Sequence, residues 1–172
     1  IDSLDRHGGQ HTGLFAVRRL LRRVETFGFY FMTLDIRQEA SVNRRIIGRS
    51  LDETDWLQQS AEYRTERLRK ALAENESPLV DFDNEGKRAI GIFQAIAFCR
   101  RRFGEKSIGP YIVSMAEGID DVLSVLLLAQ WSERLRREDA IALDIAPAFE
   151  TISGLGNAAA LISQLHAEPG YR

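Results

Sequence analysis

The sequence predicts a helix-rich α/β chain with about three parallel strands, and three observations carry that prediction. Short runs rich in β-branched and aromatic residues stand near positions 29–36, 111–115 and 141–149. Each is followed by apolar residues recurring at helical spacing, the rhythm of parallel βα units. The chain, at 172 residues, is long enough for one domain with a real core.

The elements follow in order. Residues 1–13 contain His7-Gly8-Gly9-Gln10-His11 and read as a mobile lead-in, because two glycines between the histidines disfavour a helix that would bring both onto one face. Leu14, Val17, Leu21 and Val24 mark an amphipathic helix that Gly28 stops. Arg18, Arg19, Arg22 and Arg23 form its solvated face. The first strand runs from Phe29 to Ile36, and a helix follows from about Glu39. Residues 40–105 form a helical insertion. Asp52 is placed to cap a helix over about 53–73, and Glu76-Ser77-Pro78 breaks it. A further helix over about 85–103 carries Ile90, Phe93, Ile96 and Ala97 on one face. It ends in Arg100-Arg101-Arg102 before Gly104, where cations favour a helix C-terminus. Tyr111 to Met115 is a strand. Asp121 to Leu135 is a helix apolar on most sides and therefore deeply buried. Ile141 to Phe149 is the third strand, and Ser153 is placed to cap a last helix.

Composition narrows the function classes. Hydrophobic residues make 44% and charged residues 28%, ordinary for a globular protein and against a disordered or collagenous one. The longest apolar runs, Val125 to Ala129 among them, fall far short of the ~18 residues of a membrane span. Cys99 is the sole cysteine, so neither an internal disulfide nor a cysteine-based zinc site is available. The opening residues show no charged segment leading into an apolar one, and a cytoplasmic location is expected. A net charge of −2 supplies no long-range pull toward nucleic acid or an acidic membrane, and neither partner is expected.

Open doubly wound sheets and barrels both fit this rhythm, and in both the ligand meets the carboxyl ends of the strands. Two residues stand out there. Arg37 shares a strand face with Thr33 and Asp35, and its guanidinium fork suits a phosphate or carboxylate. The structural alternative is an ion pair with Asp35 or Glu39. Glu150 follows a face of small residues, Ala142, Ala146 and Ala148 with Asp144 among them. As a carboxylate at the mouth it suits a magnesium ion, which takes one or two carboxylates plus substrate oxygens and waters. The structural alternative is a Glu at the start of the next helix, favoured by the dipole. A competing motif is Gly154-Leu155-Gly156-Asn157-Ala158-Ala159, a G-x-G-x-x-A match after a strand, which would suit a non-catalytic nucleotide-binding module. Four residues separate Phe149 from Gly154, although the fingerprint glycines should make the strand-to-helix turn themselves. Walker, EF-hand and H-E-x-x-H motifs are absent, and His7, His11 and His166 lie away from every predicted strand end.

These residues resemble a known family. Thr26-Phe27-Gly28 followed by Leu34-Asp35-Ile36-Arg37-Gln38-Glu39, then Tyr111-Ile112-Val113-Ser114-Met115-Ala116 with Asp121-Val122-Leu123, then Pro147-Ala148-Phe149-Glu150-Thr151 and Tyr171-Arg172, are similar in order and content to stretches of phosphoenolpyruvate carboxylase. The resemblance covers about residues 14–172. It implies a middle segment of an eight-stranded β/α (TIM-type) barrel enzyme that carboxylates phosphoenolpyruvate with bicarbonate to oxaloacetate and phosphate, using magnesium or manganese. It further implies that Arg37 matches a catalytic arginine and Glu150 a metal-binding carboxylate. Ala40, Asn43, Asp120 and Ala148 depart from the family's usual Ser, His, Ser and Leu without removing a charge from the implied site. The family's catalytic histidine motif, its glycine- and arginine-rich phosphate loop and its second metal carboxylate are not found in these residues. A chain carrying three of eight barrel strands is expected to be inactive alone and to form a homo-oligomer through uncovered apolar faces and strand edges.

Overall fold

The structure, a computed structural model, describes residues 1–28, 32–136, 143–169 and 171. It divides into two compact units, Ile1–Leu34 and Asp35–Arg172.

The first unit holds helix α1 (Asp2–Arg6), a 3-10 turn (Gly9–His11) and helix α2 (Leu14–Phe27). The lead-in thus carries helical turns, but His7 and His11 lie on separate ones. His7 Nδ1 donates to the Ser3 carbonyl at 2.6 Å, and Arg18 of α2 pairs with Asp5 of α1. α2 is amphipathic as its spacing predicts, and Gly28, at φ 61°, ends it. Its apolar side chains Phe15, Leu20 and Phe27 are nevertheless exposed.

The second unit is built on a parallel sheet of order β1-β2-β3, with β1 (Leu34–Glu39, beginning at the boundary residue), β2 (Ile108–Ser114) and β3 (Ile145–Ala148). Tyr111 pairs with Ile145 and Ser114 with Ala148. Between β1 and β2 lie α3 (Ala40–Ser50), α4 (Ala61–Ala73) and α5 (Asn84–Phe103). Helix α6 (Ile119–Arg136) connects β2 to β3, and α7 (Ile152–Ala167) follows β3. The strands are therefore neighbours in sequence order, the arrangement of an arc of βα units. The eight-stranded closure belongs to the family the sequence resembles; the chain itself forms a three-stranded sheet.

The core forms around α6, which packs against α3, α4 and α5. Val122, Leu123, Val125, Leu127 and Leu128 are fully buried, so the helix is apolar on nearly every side, as its composition requires. Phe93 of α5 stacks on Tyr111 of β2 at 5.4 Å between ring centres. Trp131 satisfies its indole N–H on the Glu76 carbonyl at 2.7 Å. Gly48 is required by packing: a Cβ there would lie 2.7 Å from the Cβ of the buried Trp56.

Several boundaries differ from expectation. β1 overlaps the predicted run at Leu34–Ile36 and extends past it to Glu39, so that it includes Asp35, Arg37 and Glu39, charged residues that local propensity assigns to a loop. Phe29 to Phe31, Ile141, Ala142 and Arg172 lie outside the described residues. Leu34 is exposed, and Ile36 on the same face of β1 reaches the core. Asp52 caps no helix. It sits at φ 56°, a 3-10 turn (Trp56–Gln58) follows, and α4 starts only after Ser60, whose hydroxyl accepts from the Tyr63 N–H at 3.2 Å. Burying Trp56 is what bends the chain away from a continuous helix. The last helix is capped by Thr151, which accepts from the Gly154 N–H at 2.9 Å, rather than by Ser153. Helix α5 begins at a capping Asp83 and ends at Gly104, φ 98°, with Arg100 donating to the Ile108 carbonyl at 3.1 Å.

Candidate active site at the strand ends

The carboxyl ends of all three strands converge on one carboxylate. Arg37, near the end of β1, donates from Nη2 to Oε1 of Glu150, two residues past β3. The backbone N–H of Met115, the residue just past β2, donates to Oε2 of the same Glu150 at 3.2 Å. Residues 113 positions apart in sequence are thus joined across the rim. Neither Asp35 nor Glu39 takes Arg37; Glu39 instead accepts from the Ser41 hydroxyl at 2.6 Å. The pair is open to water, with Arg37 59% and Glu150 34% exposed. Ala146 and Ala148, half-buried on β3, leave room beside it.

The rest of the Glu150 seat is backbone. Met115 is a non-glycine residue in the left-handed region, φ 56°, an uncommon conformation held here by its neighbours. Ala116 continues the β2–β3 ladder by donating to the Ala148 carbonyl at 3.2 Å. On the other side, Thr151 caps α7, so Glu150 stands just outside the helix rather than in its first turn. Gly154 and Gly156 lie within α7, not in the strand-to-helix turn. The first fits there because a Cβ would press on Thr151 Oγ1 at 2.9 Å, and the second faces open space.

A second set of charges joins α3 and α4 to the start of α6. Arg44 of α3 grips Asp121 with both arms of its fork, Nε to Oδ1 at 2.6 Å and Nη2 to Oδ2 at 2.8 Å. Arg64 of α4 donates to Asp120 Oδ2 at 2.7 Å and to the Gln59 carbonyl. Both aspartates are fully buried at the start of α6. Burial pushes the Asp120 carboxyl above its ordinary value, the adjacent Asp121 pushes it the same way, and Arg64 and Arg44 only partly offset them. Arg44 is held above its ordinary value: burial pulls it down, but Asp121, Asp120 and Glu117 together outweigh burial. Asp120 Oδ1 is buried without a hydrogen-bond partner. Asn43 lies beside Tyr111, whose hydroxyl burial pushes up to about 12. A readable signal for these charges existed in the sequence: two adjacent acids opening an otherwise apolar helix need cationic partners if that helix is buried.

A cavity of about 480 Å³, lined among others by Arg45, Arg49, Trp56, Asp81 and Asp83, contains neither Arg37 nor Glu150. Among the described residues no group of three or more His, Cys, Asp or Glu side chains is placed to hold a metal ion, and no helix is long and apolar enough to cross a membrane. Tyr171, matched in the sequence to a family Tyr-Arg pair, donates its hydroxyl to the Ile145 carbonyl at 2.7 Å at the start of β3.

The chain is similar to known proteins over its whole length. A family profile for phosphoenolpyruvate carboxylase matches residues 1–172. The chain is 43% identical over 173 residues to a phosphoenolpyruvate carboxylase of Xanthomonas euvesicatoria pv. vesicatoria, 42% to one of Xanthomonas campestris pv. campestris and 32% over 181 residues to one of Chromobacterium violaceum. These matches take in 99–100% of this chain but only 19–20% of each relative, so the chain spans about a fifth of their length. With the profile covering every residue, the chain belongs to the phosphoenolpyruvate carboxylase family.

Proposed function

We propose that this chain supplies one sector of the active-site rim of a phosphoenolpyruvate carboxylase barrel, acting on phosphoenolpyruvate and bicarbonate in the cytoplasm. The observation that carries the reading is the meeting of Arg37 and Glu150 at the carboxyl ends of β1 and β3. Arg37 keeps further N–H donors beyond the one spent on Glu150, and they point the chemistry toward an oxyanion of the substrate phosphate or carboxylate. Its role is to hold that oxyanion and to balance negative charge as the phosphate is transferred to bicarbonate and the new carbon–carbon bond forms.

Glu150 is the residue of this chain that would hold magnesium or manganese. A hard cation of this kind takes one or two carboxylates and fills its other positions with water and substrate oxygens. The donor set fits as a contribution of one: a half-exposed carboxylate, with one oxygen on a backbone N–H and the other on an exchangeable arginine. When bound, such an ion supplies Lewis-acid stabilisation of developing oxygen charge. Within this chain one carboxylate and one rim arginine are too few to bind and orient both substrates. The 172-residue chain is therefore expected to form no oxaloacetate by itself. Its exposed Ile152 and Leu155 on α7, and Phe15 and Leu20 on α2, are expected to associate it with further copies.

The test is a chimera in which these residues replace the matching segment of the Xanthomonas euvesicatoria relative. Arg37→Gln is expected to lower kcat by about 10²–10³, and Glu150→Gln to raise the Mn²⁺ concentration for half-activation. Unchanged Mn²⁺ activation in Glu150→Gln overturns the metal assignment. For the alternative of a nucleotide-binding module, Gly154 and Gly156 lie inside α7 and not in the strand-to-helix turn that the fingerprint glycines should make, which weighs against it. A binding titration of the chain with NADH, set against phosphoenolpyruvate plus Mn²⁺, separates the two.

A further inference from the structure

Resting on that reading of Glu150, we infer that Arg44 and Asp121 are positioning residues that hold the β2–α6 loop so that the Met115 N–H fixes the Glu150 carboxylate. The connection is continuous. The Arg44 fork holds both oxygens of Asp121, and Asp121 Oδ2 also accepts from the backbone N–H groups of Glu117 at 2.8 Å and Gly118 at 3.3 Å. One carboxylate oxygen therefore gathers a guanidinium and two consecutive loop amides. Two residues upstream, Met115 holds the strained φ of 56° that turns its own N–H onto Glu150. Such a conformation persists where surrounding contacts over-determine it. Here they are the Ala116 bond to Ala148 and, directly after it, the Asp121 anchor on Glu117 and Gly118. The loop has no slack: a Cβ on Gly118 would come 2.3 Å from Asp120 Oδ1.

Arg37 and Arg44 thus divide the work. Arg37 meets Glu150 directly, and Arg44 reaches it through Asp121 and the loop. Arg64 serves as an internal contrast. It pairs with the neighbouring Asp120, whose carboxylate accepts from none of the loop amides of Met115, Glu117 or Gly118.

Amide hydrogen exchange of the 172-residue chain tests this, with Val113 in the same strand as the reference for global stability. In Arg44→Met, protection of Glu117 and Gly118 is expected to fall about tenfold relative to Val113, and protection of Met115 to fall with them. Arg44→Lys, which keeps the charge and loses the fork, should give a smaller loss in the same three amides. It decides the matter by the same ratio if the Met variant does not fold. Glu150→Gln should deprotect Met115 alone, and Arg64→Met should leave the ratio of Met115 to Val113 unchanged. Retained Met115 protection in Arg44→Met or Arg44→Lys, whether or not Glu117 and Gly118 lose theirs, overturns the inference. So does an Arg64→Met variant that deprotects Met115 as strongly. In the chimera, Arg44→Lys should raise the half-activating Mn²⁺ concentration several-fold with kcat at saturating Mn²⁺ little changed. A chimera indifferent to Mn²⁺ would refute the assignment of Glu150 to a metal, whereas the exchange ratios judge the loop anchor by themselves.

Discussion

The arginine at the rim and the two behind it use the same chemistry to opposite ends. Arg37 and Glu150 pair in water, on two strand ends, with more than half of the arginine side chain exposed. Arg44 and Arg64 pair with Asp121 and Asp120 where the carboxylates are 0–1% exposed. An exposed pair contributes little to stability, since solvent screens it and ordering two side chains offsets the gain. Its partners can therefore be exchanged for a ligand at small cost. A buried pair is different: its formation gains little over an apolar alternative, but removing one partner strands a charge. The rim pair is thus suited to exchange and the buried pairs to holding α3, α4 and the start of α6 in one arrangement.

That contrast is open to measurement, beginning with its largest consequence. Arg64→Met leaves the Asp120 carboxylate in the interior without its closest cation, and should cost about 3–5 kcal/mol in urea unfolding. A loss as small as that of a surface pair would break the comparison. The pH dependence sharpens it. Burial first, and Asp121 second, raise the folded-state value of Asp120 above its unfolded one, so the native state binds this proton more readily than the unfolded chain. Stability from this group is then greatest below the unfolded value near 3.8 and falls as pH rises toward the raised folded value. Urea midpoints of wild type and Asp120→Asn, measured from pH 4 upward, should show the wild type losing ground to the variant as pH rises. The reverse slope would mean that Arg64 and Arg44 outweigh desolvation. An intermediate effect is expected at Thr151, whose hydroxyl caps α7 immediately after Glu150. Thr151→Ala should cost about 1 kcal/mol of thermal or urea stability, placing the backbone seat of the rim between the two kinds of pair. The smallest effect is expected for Arg37→Met, at most about 1 kcal/mol. A larger loss would mean that the rim pair holds the sheet together and is not free to exchange.

Much of the fold was legible because its signals are local. The steps of Leu14, Val17, Leu21 and Val24, the apolar content of 122–129 and the arginines before Gly104 each describe a helix without reference to the rest of the chain. Arg37 and Glu150 were legible as rim candidates because strand ends are where α/β sheets present side chains. What misled was also local. Charges at 35, 37 and 39 hid the end of β1, and Asp52 had the right chemistry for a cap it does not make, because burying Trp56 delays the helix to Ser60. Amphipathicity likewise predicts that α2 has an apolar face but not what covers it, and in this structure Phe15, Leu20 and Phe27 are uncovered.

The sequence by itself determined the order of strands and helices, the buried character of α6, the two rim residues and the family. Only the tertiary structure decided the partners: that Arg37 takes Glu150 rather than Asp35 or Glu39, that Met115 contributes an amide, and that Arg44 and Arg64 divide the two aspartates between them. Helix and strand periodicity is set by residues three or four positions away or two. A charge buried in a core, by contrast, is paired by whichever element the packing brings within about 3 Å, and that neighbour can lie anywhere along the chain.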